Sequence, residues 1–177
     1  ALLVLAPRHR PRFGEVATTL EASGLSWLRR SAAAGDAADA RAASAAAGNA
    51  AVLLLDTIGE LEDFYAAADV AFVGGSLVPI GGHNLLEPAS LGVATLTGPY
   101  QHNAPDIARL LGESGGLQLV GDATELGAAL VRLLADDAAR SRMATAAQAT
   151  VAANRGALAK VLALVSDLLA SPPRPLP

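Results

Sequence analysis

Six short apolar runs, most of them followed by a segment of helical period, set the tightest limit on what this chain can fold into. The runs are Leu2–Leu5, Leu25–Leu28, Val52–Leu55, Val70–Val73, Val93–Leu96 and Leu117–Val120. Each is nearly continuous rather than alternating, as strands covered on both faces are. Arg12–Ser23 lies between the first two and stops at Gly24. Ile58–Ala68 sets Leu61, Phe64, Tyr65 and Ala68 at helical spacing on one face. Leu86–Leu91 stops at Gly92 and Asp106–Leu111 at Gly112, glycine being a favoured residue just past a last helical turn. Strand and helix in alternation demand a parallel sheet with helices on both faces and right-handed crossovers. The expected fold is therefore α/β, a Rossmann-like six-stranded parallel sheet.

The rhythm breaks twice. Residues 31–51 are rich in Ala, Gly, Asp and Ser and hold no bulky apolar side chain, so they read mainly as a surface connection. After Val120 no strand follows. Thr124–Leu134, Ala138–Ala153 and Gly156–Leu169 read as three closing helices, and the Pro-rich residues 171–177 as a tail. One domain over 1–170 is the expected organisation.

Composition excludes several classes. The net charge of −4 and the pI near 5.3 argue against a general nucleic-acid binder, which is usually basic. With no Cys there is neither a disulfide framework nor a thiolate metal site. His9, His83 and His102 show no zinc-ligand spacing, and no Ser sits in a nucleophile elbow. Neither a metal nor another cofactor is expected. No run reaches the ~18 apolar residues of a membrane span. The opening "ALLVLAPRHR" has no basic leader and reads as a buried strand. Residue 1 is Ala, not Met, and a strand begins at once, so the chain is expected to be a piece of a longer protein.

In open parallel sheets ligands gather beyond the carboxyl ends of the strands, and three such ends carry unusual residues. The first is "PRHRPRF". Arg8, His9, Arg10 and Arg12 crowd a helix start, where cations are unfavourable unless an anion is bound. A solvated basic turn is the plainer alternative. The second is "DTIGEL". Thr57 and Glu60 have capping-box spacing, which alone would explain them, while Ile58 and Gly59 would present backbone N–H groups at the ligand edge. The third is "GGSLVPIGGHNLLEP". Gly74 and Gly75 leave a strand, and Gly81 and Gly82 lead into a helix start, where Asn84 and Glu87 repeat the capping-box spacing. One turn accounts for one glycine pair but not easily for two. Glycine costs about 0.5–1 kcal/mol relative to Ala wherever the backbone is fixed. The loop matches neither the dinucleotide fingerprint nor the P-loop, but Glu87 puts at that edge a carboxylate able to accept both hydroxyls of a ribose.

The stretch "DTIGELEDFYAAADVAFVGGSLVPIGGHNLLEPASLGVATLTGP" resembles the donor-domain signature of bacterial 3-deoxy-D-manno-octulosonic acid (Kdo) transferases. "PRH", the "RRS" at Arg29–Ser31 and the "NRGA" at Asn154–Ala157 are similar to further motifs of that family. The resemblance implies the C-terminal half of a GT-B glycosyltransferase. It assigns CMP contacts to Pro7 and Arg8, to Ile58, Gly59 and Glu60, and to Asn84, Leu85, Leu86 and Glu87. Arg8 would meet the phosphate and Glu87 the ribose. The glycine loop Gly74, Gly75, Gly81 and Gly82 would lie close to the donor.

The implied reaction is an inverting transfer of Kdo from CMP-Kdo to a lipid A precursor, without a metal. The catalytic base would belong to an N-terminal domain absent from this chain, so the chain alone is expected to bind donor and transfer nothing. The implied location of the whole enzyme is the cytoplasmic face of the inner membrane, with the lipid acceptor and the membrane both met mainly by that other domain. Two departures stand out. Ile80 occupies a place where the family commonly has a basic or polar residue, and "GPYQHNA" at Gly98–Ala104 replaces the family's "GPHTFNF". The rival readings are a donor domain using UDP- or GDP-sugar and a flavodoxin-like regulatory module. The second needs acidic or flavin-binding strand ends, and here the first end is basic.

Overall fold

The structure is a computed structural model that describes residues 1–32, 50–154, 156 and 166. Most of the 31–51 connection, most of the Gly156–Leu169 helix, Arg155 and Ala157 of the "NRGA" motif and the 171–177 tail lie outside the described residues. The strands are β1 (Leu3–Leu5), β2 (Trp27–Arg29), β3 (Val52–Leu54), β4 (Val70–Val73), β5 (Ala94–Thr97) and β6 (Leu117–Leu119). The helices are α1 (Arg12–Ser23), α2 (Leu61–Ala66), α3 (Leu86–Ser90), α4 (Pro105–Glu113), α5 (Ala123–Ala135) and α6 (Asp137–Ala153). The α/β class and every expected strand are present. The strands pair as two three-stranded sheets, in the orders β1-β3-β2 and β4-β5-β6, and the chain divides into two units, Ala1–Ala71 and Phe72–Pro177.

In the first unit β3 is the central strand and is fully buried. It pairs in parallel with both neighbours, with Leu54 level with Leu5 on one side and with Arg29 on the other. Successive side chains on a strand point to opposite faces, and β3 shows why the run had to be continuous. Val52 and Leu54 pack with Ala17 and Leu20 of α1, while Leu53 and Leu55 pack with Phe64 of α2. β1 is an edge strand and leaves Leu3 half exposed, so the opening run is less buried than its composition suggests.

Several boundaries moved, α4 running through Gly112, its expected stop, to Glu113, and two of the moves have clear local reasons. β2 begins at Trp27 because the chain is still closing α1 at Leu25. Gly24 is left-handed at φ +69° and the Leu25 N–H donates to Ser23 Oγ at 3.2 Å. α2 begins at Leu61, not Ile58, because Gly59 sits at φ +93°, outside any right-handed helix. The face expected for this segment is also thinner, with Phe64 buried and Leu61 exposed.

In the second unit β5 is buried along its whole length. It pairs in parallel with β6. The core gathers Val73, Leu85, Ala89, Leu111, Leu117 and Ala147. Asp122 caps α5 by accepting from the Glu125 N–H at 2.9 Å, and Asp136 caps α6 by accepting from the Ala139 N–H at 2.8 Å. Among the described residues no helix is long and apolar enough to cross a membrane.

Candidate functional site

The shared register of β1, β2 and β3 brings their carboxyl ends to one edge of the first sheet. Pro7 and Arg8 follow β1 there, with Pro7 half-buried and Arg8, His9 and Arg10 exposed. Arg12 is engaged with Glu15 at 3.3 Å. An open cleft of about 510 Å³ lies at this edge, lined by Arg10, Phe13, Asp56, Thr57 and Ile58. Ile58 and Gly59 stand exposed at its rim. The structure thus brings together the first two strand ends read from sequence. It places Arg10, already marked in the basic turn, on the cleft and adds Phe13 and Asp56, which that reading had not singled out as ligand contacts.

The expected capping box at Thr57 and Glu60 is not made. Glu60 itself is the N-cap of α2, and no side chain caps that helix. The Thr57 hydroxyl instead donates to Glu60 Oε2, and the Arg30 guanidinium donates to Glu60 Oε1 at 2.7 Å. Beside this pair, Asp56 accepts from the Ser31 N–H at 2.9 Å and from the Ser31 hydroxyl at 2.7 Å. Arg29 approaches Asp56 at 3.7 Å and its guanidinium lies 5.8 Å from the Trp27 ring centroid. Residues 29–31 therefore engage both carboxylates that leave β3. A readable signal was present in sequence: an arginine buried at a strand end, as Arg30 is, calls for a nearby carboxylate, and Asp56 and Glu60 stand at the neighbouring strand's exit.

In the second unit the glycine loop leaves β4 beside the loop that leaves β5, because Thr97 Oγ1 donates to the Val73 carbonyl at 3.1 Å. Ser76 is fully buried and ties the two loops. It donates to the Val73 carbonyl and accepts from the Gly98 N–H, at 2.7 and 2.8 Å. The Tyr100 N–H donates to the Ser76 carbonyl at 3.0 Å. Gln101 Nε2 donates to Thr97 Oγ1 at 2.6 Å and to the Gly98 carbonyl at 3.1 Å.

The second glycine pair now has an internal cause. Gly81 and Gly82 are left-handed, at φ +107° and +76°. A Cβ on Gly81 would come within 2.6 Å of Asn103 Nδ2 and one on Gly82 would press into the Gln101 carboxamide. The loop turns through conformations that only glycine adopts easily and packs against residues 101–103. Nothing here requires a ligand to explain the missing side chains. Gly74 is the exception, with an ordinary φ and open space around it.

Asn84–Glu87 follows this loop. Asn84 Oδ1 accepts from the Leu86 N–H and Asn84 Nδ2 donates to Glu87 Oε1, both at 3.0 Å. The N-cap of α3 is Leu85, so this too is an Asx turn rather than the expected capping box. Asn84, Leu86 and Glu87 are exposed, but Leu85 is 1% exposed and belongs to the core. Only the main chain of Leu85 remains for a ligand. Among the described residues no cluster of His, Asp and Glu could hold a metal ion.

No protein-family model matches the chain. It is 42% identical over 169 residues to the 3-deoxy-D-manno-octulosonic acid transferase of Bordetella pertussis, a match that covers 95% of this chain and 37% of the relative. The enzyme of the same name from Haemophilus influenzae is 38% identical, with the same coverage of 95% and 37%. The chain thus spans little more than a third of the length of these curated relatives. Among solved structures it is similar to the C-terminal CMP-Kdo binding domain of WaaA from Acinetobacter baumannii, with a TM-score of 0.74 and 32% sequence identity over 85% of this chain and 73% of that one.

Proposed function

The chain belongs to the 3-deoxy-D-manno-octulosonic acid transferase family, and from that premise we propose that it is the donor-binding part of an enzyme that moves Kdo from CMP-Kdo to a lipid A precursor. One observation carries this reading: likeness in both sequence and fold to a domain whose described ligand is CMP-Kdo, over most of both chains.

Under this reading CMP is held by Pro7 and Arg8, by Ile58, Gly59 and Glu60, and by Asn84, Leu85, Leu86 and Glu87. Arg8 is the residue for the phosphate. Its exposed, always-charged fork suits a phosphoryl group, and as the sugar leaves it offsets the charge that grows on the phosphate. Glu87 is the residue for the ribose. The transfer is inverting: a base outside this chain takes the proton of an acceptor hydroxyl, that oxygen bonds to the anomeric carbon of Kdo, and CMP departs with the electron pair of the broken bond. The acceptor is a membrane lipid, which puts the whole enzyme at the cytoplasmic face of the inner membrane.

Calorimetric titration with CMP, UMP and GMP, with Arg8→Ala as control, tests the donor assignment. The expected result is binding that favours CMP and is lost with Arg8. A Kd near 1 mM, about −4 kcal/mol, is sufficient for detection at high protein concentration. A preference for UMP or GMP would overturn the assignment in favour of another nucleotide-sugar donor.

A further inference from the structure

Arg30 carries a permanent charge into a place where charge is costly. The residue is only 6% exposed, and a buried guanidinium is tolerated only with a carboxylate and good hydrogen bonds around it. Glu60 supplies the carboxylate, 30 residues further along the chain, at 2.7 Å. The other Glu60 oxygen takes the Thr57 hydroxyl. Both carboxylate oxygens of a residue assigned to CMP are therefore turned onto the protein's own groups. Arg30 also offsets the negative charge of that side chain, which would otherwise repel a phosphate nearby.

The segment so held is the one that needs holding. Gly59 lies at φ +93° with nothing within 4 Å of a Cβ placed on it. The outer side of the turn thus offers no packing, and glycine by itself leaves the backbone many alternatives. The tie to residues 29–31 is double, since Ser31 and Arg29 engage Asp56 at the other end of the same turn.

We propose that Arg30 is a positioning residue for nucleotide binding that acts through Glu60. The Arg30–Glu60–Thr57 chain fixes the turn from Thr57 to Glu60 in its binding shape, and the Glu60 side chain serves the ligand by holding that turn rather than by touching it. Order set before binding is affinity not spent on ordering the loop afterwards. This inference rests on the assignment of Ile58–Glu60 to CMP.

The test compares the wild-type chain with Arg30→Met, Arg30→Lys, Glu60→Gln and the double variant Arg30→Met/Glu60→Gln. The double variant buries no unpaired charge, so together with Arg30→Lys it carries the test if Arg30→Met fails to fold. The first readout is the backbone amide resonances of Ile58 and Gly59 without ligand. The second is the CMP Kd per folded molecule, with folding followed by circular dichroism. A merely structural role lowers thermal stability but moves neither of these. Arg30→Met should displace both amides and weaken CMP about tenfold. Arg30→Lys should recover part of that loss, and the double variant should bind no more weakly than Arg30→Met.

Amides left at their wild-type positions in a folded variant would overturn the clamp, whatever CMP does. Additive losses in the double variant would overturn the action through Glu60 and put Arg30 on the ligand itself. A wild-type chain that takes up no CMP, while the variants still displace the amides, would overturn the nucleotide assignment and leave the clamp standing.

Discussion

Asn103 donates its side-chain amide to the Gly82 carbonyl at 3.0 Å, and its main-chain N–H donates to the Gly81 carbonyl at 3.1 Å. One residue of the β5 exit loop thus pins both members of the second glycine pair. Asn103→Ala keeps the main-chain bond and removes the side-chain bond to Gly82 together with a longer one, 3.4 Å, to the Ile80 carbonyl. Asn103 is exposed, so water can satisfy the carbonyls it leaves. The expected loss is about 0.5–1.5 kcal/mol of stability, the net worth of one such bond. A shift of the urea midpoint at unchanged slope would measure it. An unmoved midpoint would mean that the side chain adds nothing beyond the main-chain tie.

The glycines of this loop should differ sharply in what they tolerate. Gly82→Ala meets a left-handed backbone at φ +76° and an occupied space, so it should cost about 2 kcal/mol or more. Gly59→Ala meets only the backbone penalty, because the space around it is open, and should cost about 1 kcal/mol. Gly74→Ala meets neither obstacle and should be close to neutral. Thermal unfolding of the three variants gives the order directly. A Gly74 variant as unstable as the Gly82 variant would contradict this account of the loop.

The contrast between these glycines marks where sequence reading reaches and where it stops. The six apolar runs betrayed the strands because central strands such as β3 must be apolar on both faces, and α1 was legible to its last residue through Gly24. How the strands pair is decided by long-range contacts, so the division into two three-stranded sheets was not written in any local pattern. The strand ends stood out by composition, and the spacing of Thr57 and Glu60, and of Asn84 and Glu87, suggested capping boxes that the structure does not make. A capping-box pattern fixes only which groups are near each other. A tertiary partner decided the first outcome, Arg30 taking a Glu60 oxygen, and local geometry the second, the Asn84 side chain turning to Leu86 and Glu87. The glycine pairs invited a ligand as their cause, whereas for Gly81 and Gly82 the residues Gln101, His102 and Asn103, some twenty positions away, supply one within the protein.

Glu87 offers a test of sugar recognition. Its Oε1 is held by Asn84 Nδ2 at 3.0 Å while the residue stays exposed, so the carboxylate is oriented and still accessible. If it accepts from the ribose hydroxyls, the chain should prefer CMP to 2′-deoxy-CMP. Glu87→Ala should then weaken CMP about tenfold, the loss of about 1.4 kcal/mol, and change 2′-deoxy-CMP much less. Parallel titrations of both nucleotides measure this. Equal losses for both would remove Glu87 from the 2′-hydroxyl and leave its role to be sought elsewhere on the nucleotide.

A general base needs an available lone pair within reach of the hydroxyl it deprotonates. At the edge of the first sheet, Asp56 accepts from Ser31 and faces Arg29, and Glu60 holds Arg30 and the Thr57 hydroxyl. Both carboxylates are committed to the scaffold. Glu87 is accessible, but its proposed task on the ribose keeps it at the nucleotide rather than at the acceptor. The 177-residue chain, mixed with CMP-Kdo and a lipid A precursor, should therefore bind donor and release no CMP by transfer. The mass of the lipid, followed by mass spectrometry beside a full-length homologue as positive control, is the measurement. A gain of one Kdo residue in the sample containing this chain alone would show that a base lies within it, and Glu87 would then be the first residue to replace.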